Sequence, residues 1–213
     1  MKIASDWDII LGSTSPRRRE LLCSVLGSYE AFSILAPTVE EVRRENETGL
    51  LYVERLAAEK AMNVASRFSG SRSEILVVGA DTVVMEGERV LEKPSSERDA
   101  KETLKSMSGR EHIVATGVAL AHRSRAQEKL DVRSIVCTTK VCFRELTTQD
   151  IDIYVASGEP MDKAGSYGAQ GLAASFIQSL DGSYTNVVGL PLAQLVMFWR
   201  RSFPKCFESV RKA

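Results

Sequence analysis

The first group of residues suited to chemistry is the segment GSTSPRR at residues 12–18. An apolar run that ends in glycine is typical of a buried strand, and Ser15 followed by Pro16 is typical of a helix N-terminus. Backbone N–H groups at such a turn, with the positive end of the helix dipole behind them, predict an anion site, most naturally for phosphate. Arg17 and Arg18 lie in the first helical turn, where basic residues are unfavourable. An anionic ligand would explain them; a solvated basic turn is the alternative.

Two acidic positions are candidates for catalysis or metal binding. Asp81 interrupts a strand-like apolar run at residues 75–85. An acid is expensive to bury there unless it is paired, hydrogen-bonded or near a metal, so we favour a functional acid over an isolated core aspartate that caps a turn. Glu41 follows a predicted strand together with Glu40. This acidic pair could be a solvated turn, or it could supply an oxygen ligand to magnesium.

Two lysines are candidate phosphate ligands. Lys60 lies within the apolar stripe of the clearest predicted helix, residues 48–68. Its stem could pack while the ammonium reaches water, or the ammonium could point at a phosphate in a cleft. Lys93 follows a predicted hairpin turn at residues 86–88, which would return it to the same end of the sheet as Asp81.

Residues 159–171 form a segment that is too rich in glycine for a helix and too varied for a linker. Long ordered loops of this kind are commonly functional. The segment contains Asp162, Lys163 and Gln170 as candidate ligand contacts.

The rest of the sequence predicts the elements that position these residues. Apolar periodicity and turn signals give five helices, at residues 16–26, 48–68, 96–109, 147–157 and 191–203. They also give strands before Gly12 and at residues 29–35, 75–85, 89–92, 112–122, 132–145 and 175–180, followed by a turn at 181–184. Ser96 with Asp99 three residues later resembles a capping box.

Composition narrows the class of protein. With 213 residues, 44% apolar and 26% charged, the chain is typical of a globular protein with one large domain or two small lobes. A formal net charge of zero gives no bulk attraction to nucleic acid or to an anionic membrane. No apolar run is long enough to span a membrane, and residues 1–8 do not resemble a secretory signal. Four cysteines without a C-x-x-C pair, beside two histidines, predict reduced thiols in the cytoplasm and no zinc site.

Four motifs occur in order along the chain. They are STSPRR at residues 13–18, RLAAEKA at 55–61, GADT at 79–82 with EKP at 92–94, and SGEPMDKAG at 157–165. Together with GSY at 182–184 and VGLP at 188–191, this pattern closely resembles the Maf family of nucleoside triphosphate pyrophosphatases over about residues 9–192. The sequence lacks the G-x-x-x-x-G-K-[ST] pattern of a P-loop, so the likeness does not extend to that class of nucleotide-binding protein.

The resemblance implies a fold, a reaction and partners. The fold would be α/β, with a long mixed twisted sheet flanked by helices and two lobes around a central cleft, as in inosine-triphosphate pyrophosphatases. A single domain would cover residues 1–213. The reaction would cleave a nucleoside triphosphate to the monophosphate and pyrophosphate. The family also implies a divalent cation, magnesium or else manganese, and a homodimer, and we expect no nucleic-acid or membrane partner.

The resemblance also implies the active-site residues. Positions that match the family's motifs are Arg17, Arg18, Glu41, Lys60, Asp81, Lys93 and Gln170. The basic residues would hold the phosphate chain, since arginine suits bidentate contact with phosphate. Asp81 would orient or deprotonate the attacking water, and Glu41 would join it in holding the cation. Substrate contacts are expected from Ser13, Ser15, Arg17, Thr82, Asp162, Lys163 and Gln170.

Gln170 carries the prediction about the nucleotide base. Family members that act on dTTP, UTP and related pyrimidines have glutamine at this position, whereas those that prefer 7-methylated GTP have glutamate. A glutamine amide both donates and accepts, which matches the N3–H and carbonyl edge of uracil or thymine, and a carboxylate only accepts. We therefore expect a pyrimidine-preferring enzyme, in which Arg17 and Thr82 also shape selectivity. The resemblance further implies a role in nucleotide-pool housekeeping and a link to cell-division arrest.

Alternative functions stay open at this point. One is a purine pyrophosphatase acting on ITP or XTP, and another is a 7-methyl-GTP pyrophosphatase. A third is a regulator of division that binds nucleotide without cleaving it. The sequence departs from the family pattern at Gly12, where alanine is common, and in the third arginine, Arg19, which could compete for phosphate. Neither departure removes a catalytic group.

Overall fold

A long mixed β-sheet forms the frame of the computed structural model, which describes residues 1–70, 72–124 and 130–207. Its strands are β1 (Trp7–Gly12), β2 (Ser33–Ile34), β3 (Glu74–Glu86), β4 (Arg89–Leu91), β5 (Glu111–Ser124), β6 (Leu130–Phe143) and β7 (Ile177–Asp181). The strand order is β2-β1-β3-β5-β6-β7, and β4 pairs with β3. β1 is parallel to β2 and β3, whereas the other pairs are antiparallel. The predicted mixed α/β sheet is confirmed.

Helices cover both faces of this sheet. They are α1 (Pro16–Leu26), α2 (Gly49–Arg67), α3 (Glu97–Met107), α4 (Thr148–Ala156), α5 (Tyr184–Val188) and α6 (Leu192–Ser202). α2 crosses one face at Gly79 of β3 and Gly117 of β5, where an added Cβ would overlap the helix backbone. Glycine thus permits the close approach that places Lys60 beside Asp81. Within the described residues, no helix is both long and apolar enough to cross a membrane.

The opposite face of the sheet carries two apolar clusters. One packs α1 and α6 against the first half of β3, with Ala80 as its last β3 residue. The other packs α3 and α4 against the far end of β3, beginning at Val84. Alternation along the strand puts Thr82 on this same face, between the two clusters. Its hydroxyl is 2.9 Å from that of Thr116 on β5, so a polar seam separates the two clusters.

The predicted strand at residues 29–35 is wrong in its first half. The Ser28 hydroxyl accepts a hydrogen bond from the N–H of Glu30 and begins a 3-10 helix at Tyr29–Ala31. Only Ser33–Ile34 then pairs with β1 as a strand. Of the apolar residues in this stretch, Ala31 and Phe32 pack in the cluster of α1 and α6 instead of extending the strand.

The turn predicted at 181–184 begins a helix that the sequence analysis missed. The Ser183 hydroxyl accepts the N–H of Asn186, and Gly189 ends the helix with a φ of 119°. This α5 is short, so it has little periodicity, but both of its cap residues were visible in the sequence.

The first turns of α3 and α4 are capped differently. Thr147 and Asp150 form a complete capping box at the start of α4. The predicted capping box at α3 is only half formed: Ser96 accepts the N–H of Asp99, but the Asp99 carboxylate accepts the N–H of Ser95 and not that of Ser96.

The segment 159–171 holds short 3-10 helices at Glu159–Asp162 and Ala164–Ser166 and no α-helix. The strand predicted at 175–180 begins at Ile177, after a further 3-10 helix.

Candidate active site

A cleft of about 780 Å³ opens beside the middle of β3 and is lined from both faces of the sheet, by Lys60 and Asp81 on the α2 side and by Thr82 on the other. Several separated stretches line it: the turn after β1, the segment before α2, α2 itself, the β3–β4 hairpin, β5, the loop after α4 and the end of α5. The predicted site residues in its lining are Ser13, Ser15, Arg17, Arg18, Glu41, Lys60, Asp81, Thr82, Lys93, Asp162 and Lys163. Gln170 is exposed at the rim, next to Ala169, which does line the cleft.

The turn from β1 into α1 has the geometry expected of an anion site, with part of its donor capacity already used. The Ser15 hydroxyl caps α1 by accepting the N–H of Arg18 at 3.4 Å. The Ser13 hydroxyl accepts the N–H of Ser15 at 3.2 Å. Because these two amides are bound by serine side chains, a phosphate here would depend on the neighbouring amides and on the arginines for its contacts.

Arg18 is held in place by backbone and side-chain acceptors from distant parts of the chain. Its Nε donates to the carbonyl oxygen of Gly189 at 2.8 Å, and its Nη2 donates to the hydroxyl of Thr82 at 3.0 Å. Burial lowers the pKa of Arg18, while the carboxylates of Asp81 and Glu41 raise it. Arginine remains protonated under any such balance, so this is a fixed positive charge at the cleft wall.

The seam behind Arg18 is a chain of hydrogen bonds across the sheet. The Thr116 hydroxyl donates to the carbonyl oxygen of Asn186 at 3.1 Å, and the Asn186 amide donates to the carbonyl of Val114 at 3.0 Å. These contacts attach α5 to β5 and so position Gly189, which follows α5. None of these residues had a sequence signal, because their partners lie far away along the chain.

Lys60 joins the two acidic candidates. Its Nζ lies 2.6 Å from Asp81 Oδ1 and 2.5 Å from Glu41 Oε1. Lys60 is only 5% exposed and Asp81 8%. The ammonium therefore lies in the cleft between two carboxylates, and the alternative in which it reaches bulk water is wrong. Lys93 is more exposed and approaches the other oxygen of Glu41 at 3.8 Å.

Glu41 is positioned by a residue that the sequence analysis missed. The hydroxyl of Tyr52 donates to the Glu41 carbonyl oxygen at 3.0 Å. Burial, aided by the carboxylates of Asp81 and Glu41, raises the pKa of Tyr52 to about 12, so the donor proton is retained. Burial raises the pKa of Glu41, but hydrogen bonding and charge from Lys60, with Lys93 and Arg18, outweigh it and lower the pKa overall. No specific sequence signal marks this contact, because the Tyr52 hydroxyl binds a backbone oxygen.

The loop after α4 contributes a second charged pair. Lys163 Nζ donates to Asp162 Oδ1 at 2.6 Å and to the carbonyl oxygen of Glu159 at 2.8 Å. Across from it, Arg17 borders Gly168. In the part of the chain that the structure describes, the Arg17 guanidinium makes no hydrogen bond or ion pair, so its fork of donors is available to a ligand.

Comparison with known proteins identifies the family. The family model described as Maf-like protein matches residues 8–201, which is most of the chain. The chain belongs to the Maf family. It is 47% identical over 189 residues to the dTTP/UTP pyrophosphatase of Shewanella sp. strain MR-7, covering 88% of this chain and 94% of that protein. It is also 47% identical over 186 residues to the dTTP/UTP pyrophosphatase of Pectobacterium atrosepticum, covering 87% and 88%.

A solved structure shows a weaker likeness. The nucleoside-triphosphatase / dITP/XTP pyrophosphatase of Mycobacterium abscessus aligns with a TM-score of 0.32 at 15% identity, covering 63% of this chain and 72% of that one. A likeness of this size supports no conclusion about this Maf protein's site.

The donor set of the Maf cleft bears on whether it could hold a metal ion. The lining of the cleft includes five basic side chains and four carboxylates, so its net charge is only slightly positive. This charge is much smaller than the negative charge of a triphosphate. Among the described residues, no group of three or more histidine, cysteine, aspartate or glutamate side chains could enclose a metal ion. Glu41 and Asp81 do converge on one cation, the Lys60 ammonium. Two carboxylates suit magnesium, which commonly takes one or two from the protein and completes its shell with phosphate oxygens and water.

Proposed function

We propose that this Maf protein hydrolyses nucleoside triphosphates, with preference for dTTP and UTP, to the monophosphate and pyrophosphate. The observation that carries the proposal is the convergence of Asp81 with Arg17, Arg18, Lys60 and Lys93 in one cleft. Relatives at 47% identity, each named dTTP/UTP pyrophosphatase, support the choice of substrate.

The basic residues fit the electrostatic demand of the reaction. Cleavage at the α-phosphorus requires stabilisation of the equatorial oxygens and of the pyrophosphate leaving group. Arg18 supplies a charge that is already fixed by Gly189 and Thr82, so little reorganisation is needed. Arg17 is free for bidentate contact with phosphate, and the exposed Lys93 can move to meet the chain.

Asp81 is suited to orient or deprotonate the attacking water. It lines the cleft, and Lys60 binds it through Oδ1. The Oδ2 atom is then available to a water molecule, while the lysine keeps the carboxylate from rotating. A carboxylate so placed can accept a proton as water attacks phosphorus.

Glu41 and Asp81 would together hold magnesium or manganese. When bound, such an ion would neutralise charge on the phosphate oxygens and so add to the small positive charge of the cleft. Lys60 now neutralises both carboxylates, so it would release at least one of them when a metal ion binds. Its freed ammonium would then serve the phosphate chain.

Gln170 is proposed to read the base from the rim. Two features support this proposal: Gln170 directly follows Ala169, which lines the cleft, and Gln170 is exposed. An amide can pair with both the N3–H and a carbonyl of uracil or thymine. Arg17 and Thr82 are expected to contribute to this selectivity. A homodimer and a cytoplasmic location remain predictions, and the first can be measured by size-exclusion chromatography.

The test is a substrate panel on the purified protein with magnesium. UTP, dTTP, CTP, ITP and 7-methyl-GTP are compared by pyrophosphate release, with chromatography of the nucleotide product. We expect UTP and dTTP to be fastest and to give the monophosphate. Faster hydrolysis of ITP or 7-methyl-GTP would replace the substrate class. Nucleotide binding without turnover would instead support the regulator.

A further inference from the structure

Two side chains outside the cleft fasten the rim segment, which we define as residues 168–172. The buried Tyr154, on α4, accepts the N–H of Gly168 at 3.3 Å and donates its own proton to Glu159 Oε1 at 3.2 Å. The other oxygen of Glu159 accepts the N–H of Leu172 at 3.2 Å. Both ends of the rim segment are therefore tied to one hydrogen-bonded pair.

The rim segment connects this pair to the cleft. Gly168 and Ala169 line the cleft, Gln170 follows at its edge, and neither Tyr154 nor Glu159 is part of the lining. At Gly171 the backbone has a φ of 82°, and an added Cβ would lie 2.8 Å from Glu159 Oε2. Glycine suits this left-handed backbone, and any other residue here would be strained and would push the Glu159 carboxylate from its present position.

The polar atoms of Tyr154 and Glu159 form hydrogen bonds that the packing of these residues does not require. The Tyr154 ring packs edge to face against Phe176, with centroids 5.2 Å apart, and this contact belongs to the apolar cluster of α3 and α4. Its hydroxyl and the Glu159 carboxylate instead serve the rim segment. Burial, with the charge of Glu159, raises the pKa of Tyr154, so the hydroxyl stays protonated and can donate. Phenylalanine would preserve the packing but not the hydrogen bonds.

We propose that Tyr154 and Glu159 are positioning residues for base recognition, because they hold the rim segment from which Gln170 contacts the base. The inference rests on the proposed function, which assigns the base to Gln170. It predicts that loss of the pair weakens discrimination between bases and leaves the phosphate and water chemistry at Asp81 in place. The change should therefore be larger in KM than in kcat.

The experiment measures kcat and KM for UTP and for ITP in Tyr154→Phe, Glu159→Ala and Gln170→Ala. Each of the first two variants removes two hydrogen bonds, so we expect the UTP/ITP ratio of kcat/KM to fall about tenfold. Combining Glu159→Ala with Gln170→Ala should lower the ratio no further than Gln170→Ala alone, because both act through one contact. Glu159→Gln keeps one acceptor oxygen and should restore part of the ratio.

A matched control separates positioning from stability. Thr147→Ala removes the N-cap of α4, the helix that carries Tyr154, and leaves the rim segment untouched. It should lower the melting temperature without changing the UTP/ITP ratio.

The outcomes separate the inference from the function on which it rests. An unchanged ratio in Tyr154→Phe and Glu159→Ala, beside a reduced one in Gln170→Ala, would overturn the inference and keep the function. An unchanged ratio in Gln170→Ala would remove the base contact and overturn the inference with it. A wild-type protein that cleaves no nucleotide would overturn both.

Discussion

Replacing Lys60 by methionine asks whether its ammonium serves catalysis or packing alone. The Nζ atom is 2.6 Å from Asp81 Oδ1 and 2.5 Å from Glu41 Oε1, and the side chain is buried on α2. Methionine keeps most of the apolar stem and removes the charge. Asp81 and Glu41 would then face each other without the cation that now lies between them.

The expected loss of stability follows from the burial of the pair. Removing one partner of a buried ion pair costs about 3–5 kcal/mol. Asp81 is buried, but the side chain of Glu41 is 43% exposed and can be solvated by water. Loss of Lys60 therefore leaves only the Asp81 charge both buried and unpaired. We therefore expect about 3 kcal/mol, the lower end of that range. Adding Asp81→Asn to Lys60→Met should recover part of it, with a coupling energy of about 1–3 kcal/mol.

The expected loss of activity follows from the proposed contact with phosphate. Removing one positioned group that stabilises transition-state charge typically lowers the rate by about 10²–10³-fold. We expect kcat/KM for UTP to fall by this amount in Lys60→Met, measured by pyrophosphate release at a temperature where the variant is folded. A value within about threefold of wild type would refute the catalytic role and leave Lys60 as a packing residue.

A control for charge removal is available on the protein surface. Lys101 pairs with Asp152 at 2.6 Å, and the lysine side chain is 37% exposed. Exposed ion pairs contribute little to stability, so Lys101→Met should leave both the free energy of unfolding and turnover close to the wild-type values. Urea unfolding of both variants gives the comparison. A similar loss of stability in the two would contradict the burial argument for Lys60.

Three further predictions concern other residues. In Arg18→Lys, the ammonium lacks the planar fork that binds Gly189 and Thr82 together. We expect kcat/KM to fall about 100-fold in a folded protein. Unchanged turnover would contradict the role of the fixed guanidinium. Chelation of divalent cations should abolish turnover until magnesium is restored. In a magnesium titration, Glu41→Gln should raise the concentration needed for half-maximal turnover. Turnover that survives chelation would exclude a role for the metal. Burial lowers the pKa of His112 from 6.5 to about 4, so its stabilising contribution is present above pH 6.5 and is lost as the pH falls towards 4. His112→Gln should flatten the fall in melting temperature across that interval, and an identical slope would exclude His112 as its source.

The candidate site was predictable where a residue contradicts its surroundings. Asp81 in an apolar strand and Lys60 in an apolar helix stripe are local anomalies that the sequence alone displays. Their pairing was not visible, because it depends on how closely α2 approaches the sheet at Gly79 and Gly117. Such anomalies indicate a function, whereas the geometry comes from packing.

Other parts of the site depend on contacts that no local pattern records. The partner of Arg18 Nε is the carbonyl of Gly189, 171 residues away. The Tyr52 hydroxyl binds a backbone oxygen of Glu41, and tyrosine on a half-apolar helix resembles any core residue. The strand predicted at 29–35 failed because Ser28 began a helical turn, which overrode the β character of the apolar residues.

The central claim is that this cleft directs water to the α-phosphorus of a nucleoside triphosphate. Hydrolysis of UTP in ¹⁸O-labelled water, followed by mass spectrometry of both products, tests it most directly. The proposed role of Asp81, beside the basic residues that hold the pyrophosphate, predicts one labelled oxygen in UMP and none in pyrophosphate. Label in pyrophosphate, or release of UDP and labelled phosphate, would contradict it.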